Sequence, residues 1–150
     1  MVPVNPTPYA ELEAVTLGGS TTGTNDSCAT AEDIGTVTLS TSLVVTGSLA
    51  SCGSAAFDFT KDQDYYIFTV GEDGVYDLDL DCFSTGSDLN ALDLVIFDSN
   101  CNYLNDTYAT QPYAGMTSPT LTAGTQIVML VLGYNGAPPI PYRLTVMKSQ

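Results

Sequence analysis

Along most of the chain, apolar positions recur with a strand's period of two, in short runs of Val, Ile, Leu, Thr, Tyr and Phe bounded by Gly, Asn, Asp and Pro. Eight runs stand out: TVTLS (36–40), LVVTGSL (43–49), DYYIFTV (64–70), VYDLDL (75–80), LDLVIF (92–97), PTLT (119–122), QIVMLVLGY (126–134) and YRLTVM (142–147). No segment carries the stripe of an amphipathic helix, and CATAEDIG (28–35) has room for one turn. About eight strands with turn signals between them predict an all-β fold, a β-sandwich.

The runs also predict which side chains face inward. In GVYDLDLDC the alternation is clean, with Tyr76, Leu78 and Leu80 on a core face and Asp77, Asp79 and Asp81 on a wet one. YRLTVM repeats the pattern with Tyr142, Leu144 and Val146 inward. QIVMLVL is apolar on both faces, which suits a central strand or one whose outer face is buried under a loop or partner. GYNGAPPIP reads as a loop, because its prolines cannot donate to a ladder.

A chain of 150 residues with 44% hydrophobic residues and a mean hydropathy of +0.13 fits one folded domain, expected over 24–150. Residues 1–23 read as a flexible N-terminal arm or linker that begins MVPVNPTP. Within it Ala10, Leu12 and Ala14 alternate, so the arm is either a plain linker or a strand that adds to a neighbouring copy. The beginning lacks the charged and apolar regions of a signal peptide, as expected of a mature form or of a domain cut from a longer precursor. No run approaches the ~18 apolar residues of a membrane span, so no membrane insertion is expected.

Charge narrows the partners. The net charge is −14, with 17 acidic residues against Lys61, Arg143 and Lys148, which leaves no basic surface for nucleic acid or an anionic membrane. Thirteen of the acids are Asp, the carboxylate of turns and calcium loops. Four cysteines without a C-x-x-C pair or any histidine argue against zinc and for two disulfides, hence for a secreted or cell-surface protein. Three pairings are open. A chain reversal after Cys82 would bring it to Cys101 and leave Cys28 for Cys52.

The absence of histidine removes Ser-His and Cys-His nucleophilic chemistry, and no glycine-rich phosphate loop is present. No enzyme is expected, although paired carboxylates such as DLDLD or DQD have the groups of an acid hydrolase. Calcium fits the oxygen-rich segments better. Asn25, Asp26, Asp58, Asp62 and Asp64 form a candidate composite site if the TNDS segment folds beside FDFTKDQD. The alternative is that Asn25 and Asp26 cap a turn while Asp62 and Asp64 flank a hairpin.

In order, NDSCATAEDIG, VTGSLAS, DQDYYIFTV, GVYDLDL, LDLVIFDSN, LTAGTQIVMLVLGYNG and YRLTV resemble the bacterial pre-peptidase C-terminal (PPC) domain family, over about Asn25 to Met147. The resemblance implies a jelly-roll-like antiparallel β-sandwich, non-catalytic, used by secreted proteins for accessory or adhesion roles. It is related to the collagen-binding domains of clostridial collagenases, which use calcium near the N-terminal strand. By position, Asn25 and Asp26 match the family's Asn-Asp element, Asp62 and Asp64 its D-x-D, and Tyr65 and Tyr66 the aromatic pair behind it, one ring of which is expected in the core. The two Glu that calcium-binding relatives place just before Asn-Asp are replaced by Thr21 and Gly23. The resemblance also implies a Cys82–Cys101 bridge.

CNYLNDTYATQPYAGM holds Tyr103, Tyr108 and Tyr113 among Asn, Thr and Gly, a composition suited to a ligand-binding loop. Asn25-Asp-Ser27 and Asn105-Asp-Thr107 fit the N-glycosylation acceptor pattern. The expected function is a calcium-stabilised module that binds an extracellular protein or polysaccharide. The rival is a filament or surface-layer subunit that binds copies of itself through its arm.

Overall fold

The computed structural model describes residues 9–10, 27–49, 62–82, 91–108, 113–134 and 140–150. Two five-stranded sheets pack face to face. Sheet A is built from β1 (Tyr9–Ala10), β3 (Leu43–Leu49), β10 (Ile140–Lys148), β5 (Tyr76–Cys82) and β8 (Tyr113–Thr117), in that spatial order. Sheet B runs β2 (Glu32–Val37), β4 (Asp64–Val70), β9 (Gln126–Tyr134), β6 (Ala91–Asp98), β7 (Tyr103–Tyr108). The one helical element among the described residues is a 3₁₀ turn at Cys28–Thr30, within the segment expected to make a single turn.

Alternation builds the core. Tyr76, Leu78 and Leu80 of β5 and Leu144 and Val146 of β10 are fully buried, and Asp77, Asp79 and Asp81 take the opposite face as expected. β9 lies at the centre of sheet B, paired with β4 and β6. Its Ile127, Met129 and Val131 enter the inter-sheet core, while Val128, Leu130 and Leu132 join a second apolar cluster on the outer face.

The sandwich is mixed rather than wholly antiparallel, since β1 runs parallel to β3 and β2 parallel to β4. Between β2 and β4 the chain passes through the other sheet as β3, and such a crossover lets a strand return in the same direction. The strand expected at 36–40 begins at Glu32 instead. A bulge between Asp33 and Gly35, with Gly35 at φ +109°, shifts the buried positions from 32 and 34 to 37 and hides the period. PTLT forms no strand; there Leu121 makes an isolated bridge to Gly74. β7 and β8 occupy what read as a loop, because edge strands tolerate Asn, Asp and Gly. β10 starts inside the expected loop at Ile140. Pro141 is accommodated because it stands beyond the last rung that β10 shares with β5, Tyr142–Cys82.

The disulfide is Cys28–Cys101, with Cα atoms 6.1 Å apart, which overturns the expected pairings of Cys82 with Cys101 and Cys28 with Cys52. The reversal that would have joined Cys82 to Cys101 does not occur, because β5 ends in sheet A and β6 begins in sheet B. Cys101 sits in the β6–β7 turn of sheet B. Cys52 lies outside the described residues.

Candidate functional site

β2 and β4 run parallel with Glu32 level with Tyr66, so both enter sheet B at the same end. Asp62 and Asp64 stand at that end, buried to 1% and 0% exposure. Asp64 alternates with Tyr66, Phe68 and Val70 and therefore faces the inter-sheet core. From sheet A, Tyr142 reaches across: its hydroxyl donates to Asp64 Oδ2 at 2.6 Å and is also hydrogen-bonded to the Tyr66 hydroxyl. One carboxylate and two phenols thus tie the two sheets together inside the core. Glu32 is buried too and alternates with Ile34, on the core face of β2.

Asp93 is fully buried at the same end of sheet B but on its other face. It is opposite Leu132, whereas Asp64 and Leu94 flank Val131. Sequence reasoning missed Glu32 and Asp93 because burial of an isolated acid leaves no mark in the local pattern. Asn25, Asp26 and Asp58 lie outside the described residues. Among the described residues, no three acidic or cysteine side chains are grouped to hold a metal. Of the expected set, Asp62 and Asp64 lie within the described residues.

The aromatic pair behind these aspartates divides between two cores. Tyr66 enters the inter-sheet cluster and Tyr65 the outer one, where it packs on Phe97 with ring centroids 6.4 Å apart. Both rings are buried, where one was expected.

The β6–β7 turn is organised by Asp98. Its Oδ1 accepts the amides of Asn100 and Asn102, each at 2.9 Å, and its Oδ2 accepts Asn102 Nδ2 at 3.0 Å. The Asn102 side chain first, then the amides, hold this exposed carboxyl below its ordinary range. Cys101 adopts φ +64°, a left-handed conformation that costs a non-glycine residue roughly 1–3 kcal/mol. A cysteine is present there to reach Cys28.

The backbone distributes the three tyrosines of the expected contact loop over two strands. Tyr103 opens β7 and Tyr108 closes it, five residues or about 17 Å further on. Tyr113 opens β8 in the other sheet. Tyr103 is 59% exposed and donates to the Asp106 carboxylate, a bond that raises its phenol pKa. On the outer face of sheet A, Asp81 is raised by partial burial and by Asp79, against the lowering effect of Arg143, its cross-strand neighbour. A shallow hollow of about 280 Å³ lies at the opposite end of the sandwich from Asp64, between Leu39, Asp77 and Met147.

No protein-family model matches the chain, and no curated protein sequence matches it significantly. Among solved structures, it is similar to the pre-peptidase C-terminal domain of collagenase from Bacillus anthracis. The TM-score is 0.51 and the identity 19%, over 77% of this chain and 93% of that one. This likeness shows the fold expected from the ordered motifs. More distant are PliG of Aeromonas hydrophila, a periplasmic inhibitor of g-type lysozyme (TM-score 0.42, 12% identity, 79% of this chain and 99% of that one), and CsCBM6-3 from Clostridium stercorarium, solved with cellobiose (TM-score 0.33, 12% identity, 58% and 67%). Neither is close enough to carry an argument.

Two outcomes follow from this geometry. Tyr142→Phe removes the donor to Asp64 and should lower stability by about 1–3 kcal/mol, read from the urea midpoint; an unchanged midpoint would mean that the bond contributes nothing net. Asp98 has a folded pKa below its unfolded value, so its contribution is complete above the unfolded carboxylate pKa of about 4 and is lost as pH falls through the folded value. Melting curves from pH 6 to pH 2 should show Asp98→Ala losing less stability on acidification than the parent.

Proposed function

We propose that the chain is a non-catalytic extracellular module that binds a protein fibre or a polysaccharide and is stabilised by calcium at the entry of β4. The observation that carries the cation is the burial of Asp62 and Asp64 at 1% and 0% exposure in a chain of net charge −14. A carboxylate taken out of water is met by donors, a proton or a cation. The Tyr142 hydroxyl supplies one donor to Asp64. Lys61 is outside the described residues.

Calcium takes six to eight oxygens and accepts irregular loops. Asp62 and Asp64 supply part of that set, and the reading assigns the rest to Asn25, Asp26 and Asp58. Two features support it: β2 and β4 enter from the same end, and the turn at Cys28–Thr30, just after Asp26, touches β4. The Cys28–Cys101 bridge supports an oxidising, extracellular setting. Exposed Tyr103 is the described side chain best suited to an adaptable contact, with Tyr108 and Tyr113 assigned to the same ligand-binding role.

A second reading has its own observation. Tyr9–Ala10 of the arm adds to the edge of β3, opposite Val45 and Thr46, the same kind of contact that a donated strand would make in a second copy. Rods or tubes by electron microscopy would favour this filament reading, and a monomer the module.

Ligand binding to the native state alone raises stability, by about 2.7 kcal/mol at 100 times Kd, or roughly 5–10 °C for a chain of this size. Melting in millimolar calcium should exceed melting in EDTA by a shift of that order, and Asp62→Asn with Asp64→Asn should abolish it. Equal midpoints in calcium and EDTA would remove the cation from the proposal. With Cys28–Cys101 formed, the two-disulfide reading requires Cys52–Cys82. Thiol titration of the denatured, unreduced protein should then find none, and two thiols would refute the second bridge.

A further inference from the structure

The outer face of sheet B carries an apolar cluster of its own, made of Tyr65, Val95, Val128, Leu130 and Leu132, all buried. A sandwich face turned away from the partner sheet is ordinarily wet, so this one requires a cover. Cys28 and Ala31, from the segment 27–31 that leads into β2, pack on it. The hydrogen bonds of that turn are internal: Thr30 N–H donates to Ser27 O at 3.0 Å and Ser27 N–H to Thr30 Oγ1 at 3.2 Å. Apart from the peptide chain that continues into β2, its covalent tie to sheet B is the bond from Cys28 to Cys101.

The two ends of this bond are held unequally. Asp98 fixes the Cys101 turn through three hydrogen bonds that do not involve the sulfur. The Cys28 side has the disulfide and apolar contact. Cys101 is exposed, within reach of a reductant. Cutting the bond therefore frees the 27–31 side and leaves the hairpin in place.

We propose that Cys28–Cys101 is a redox latch, whose reduction releases segment 27–31 and uncovers the outer apolar face of sheet B while the inter-sheet core stays folded. The reductant is a dithiol. One of its thiolates attacks a sulfur of the bond to give a mixed disulfide, and the second displaces the protein thiol. Two cysteine thiols are released and the dithiol becomes a disulfide, a balanced two-electron exchange. The latch does not depend on the calcium reading.

The test is a Cys28→Ser/Cys101→Ser variant, which leaves Cys52 and Cys82 untouched, compared with the oxidised parent. Anilinonaphthalene sulfonate fluorescence should rise several-fold with the far-ultraviolet circular dichroism unchanged. Hydrogen exchange should quicken over 27–31 while β5 stays protected. Should that variant not fold, a Cys52→Ser/Cys82→Ser variant reduced with dithiothreitol after folding reads the same bond. Unchanged dye binding and exchange would overturn the proposal, because the cover would then hold without the bond. Loss of the β signal in the reduced protein would also overturn it, because the bond would then staple the whole fold.

Discussion

β9 is apolar on both faces, and the rest of sheet B follows from having to keep both of them dry. Its inner side chains are met by sheet A in the inter-sheet core. Its outer ones, Val128, Leu130 and Leu132, gather Tyr65 and Val95 into a second cluster that needs a cover of its own. Burying a side chain of this size is worth about 1.5–3 kcal/mol, so leaving that face wet would forfeit a large part of a domain's net stability. The segment before β2 supplies part of the cover, and the disulfide from Cys28 to the β6–β7 turn fixes it. The left-handed Cys101, the Asp98 turn and the early start of β2 are local features of that arrangement.

The end of sheet B at which β4 begins gathers buried acids. Asp62, Asp64 and Glu32 enter there, with Asp93 on the reverse face, all withdrawn from water. In a low-dielectric interior such groups demand partners, and hydrogen bonds to a carboxylate are stronger than neutral ones. The Tyr142 hydroxyl meets Asp64 and the Tyr66 hydroxyl at once, which makes the polar contact between sheets directional where the surrounding packing is not. The cation proposed at Asp62 and Asp64 would act on this contact, and through Tyr142 on the central strand of sheet A.

How much of the site was legible depends on each residue's surroundings in sequence. Asp62 and Asp64 announced themselves through their D-x-D spacing before an aromatic run. Glu32 and Asp93 did not, because an acid inside a run such as LDLVIF looks like the wet half of an alternation; burial of both faces of sheet B makes it otherwise. The three tyrosines shared a sequence segment and so suggested a single loop, but β7 spaces two of them apart and β8 carries the third into the other sheet. Cysteine pairing failed for a related reason: neighbours in sequence are neighbours in space only when the chain reverses within one sheet.

The sequence by itself determined the all-β class, the faces of β5, β9 and β10, and the shortage of basic groups, because period-two alternation and composition are local properties that survive in any arrangement of the strands. Tertiary structure alone decided that β2 and β4 lie side by side in parallel, that β5 and β6 part into different sheets, that Cys28 meets Cys101, and that Tyr142 reaches Asp64. Those are contacts between residues distant in the chain, chosen by which sheet faces must be covered, and no short-range pattern records that choice.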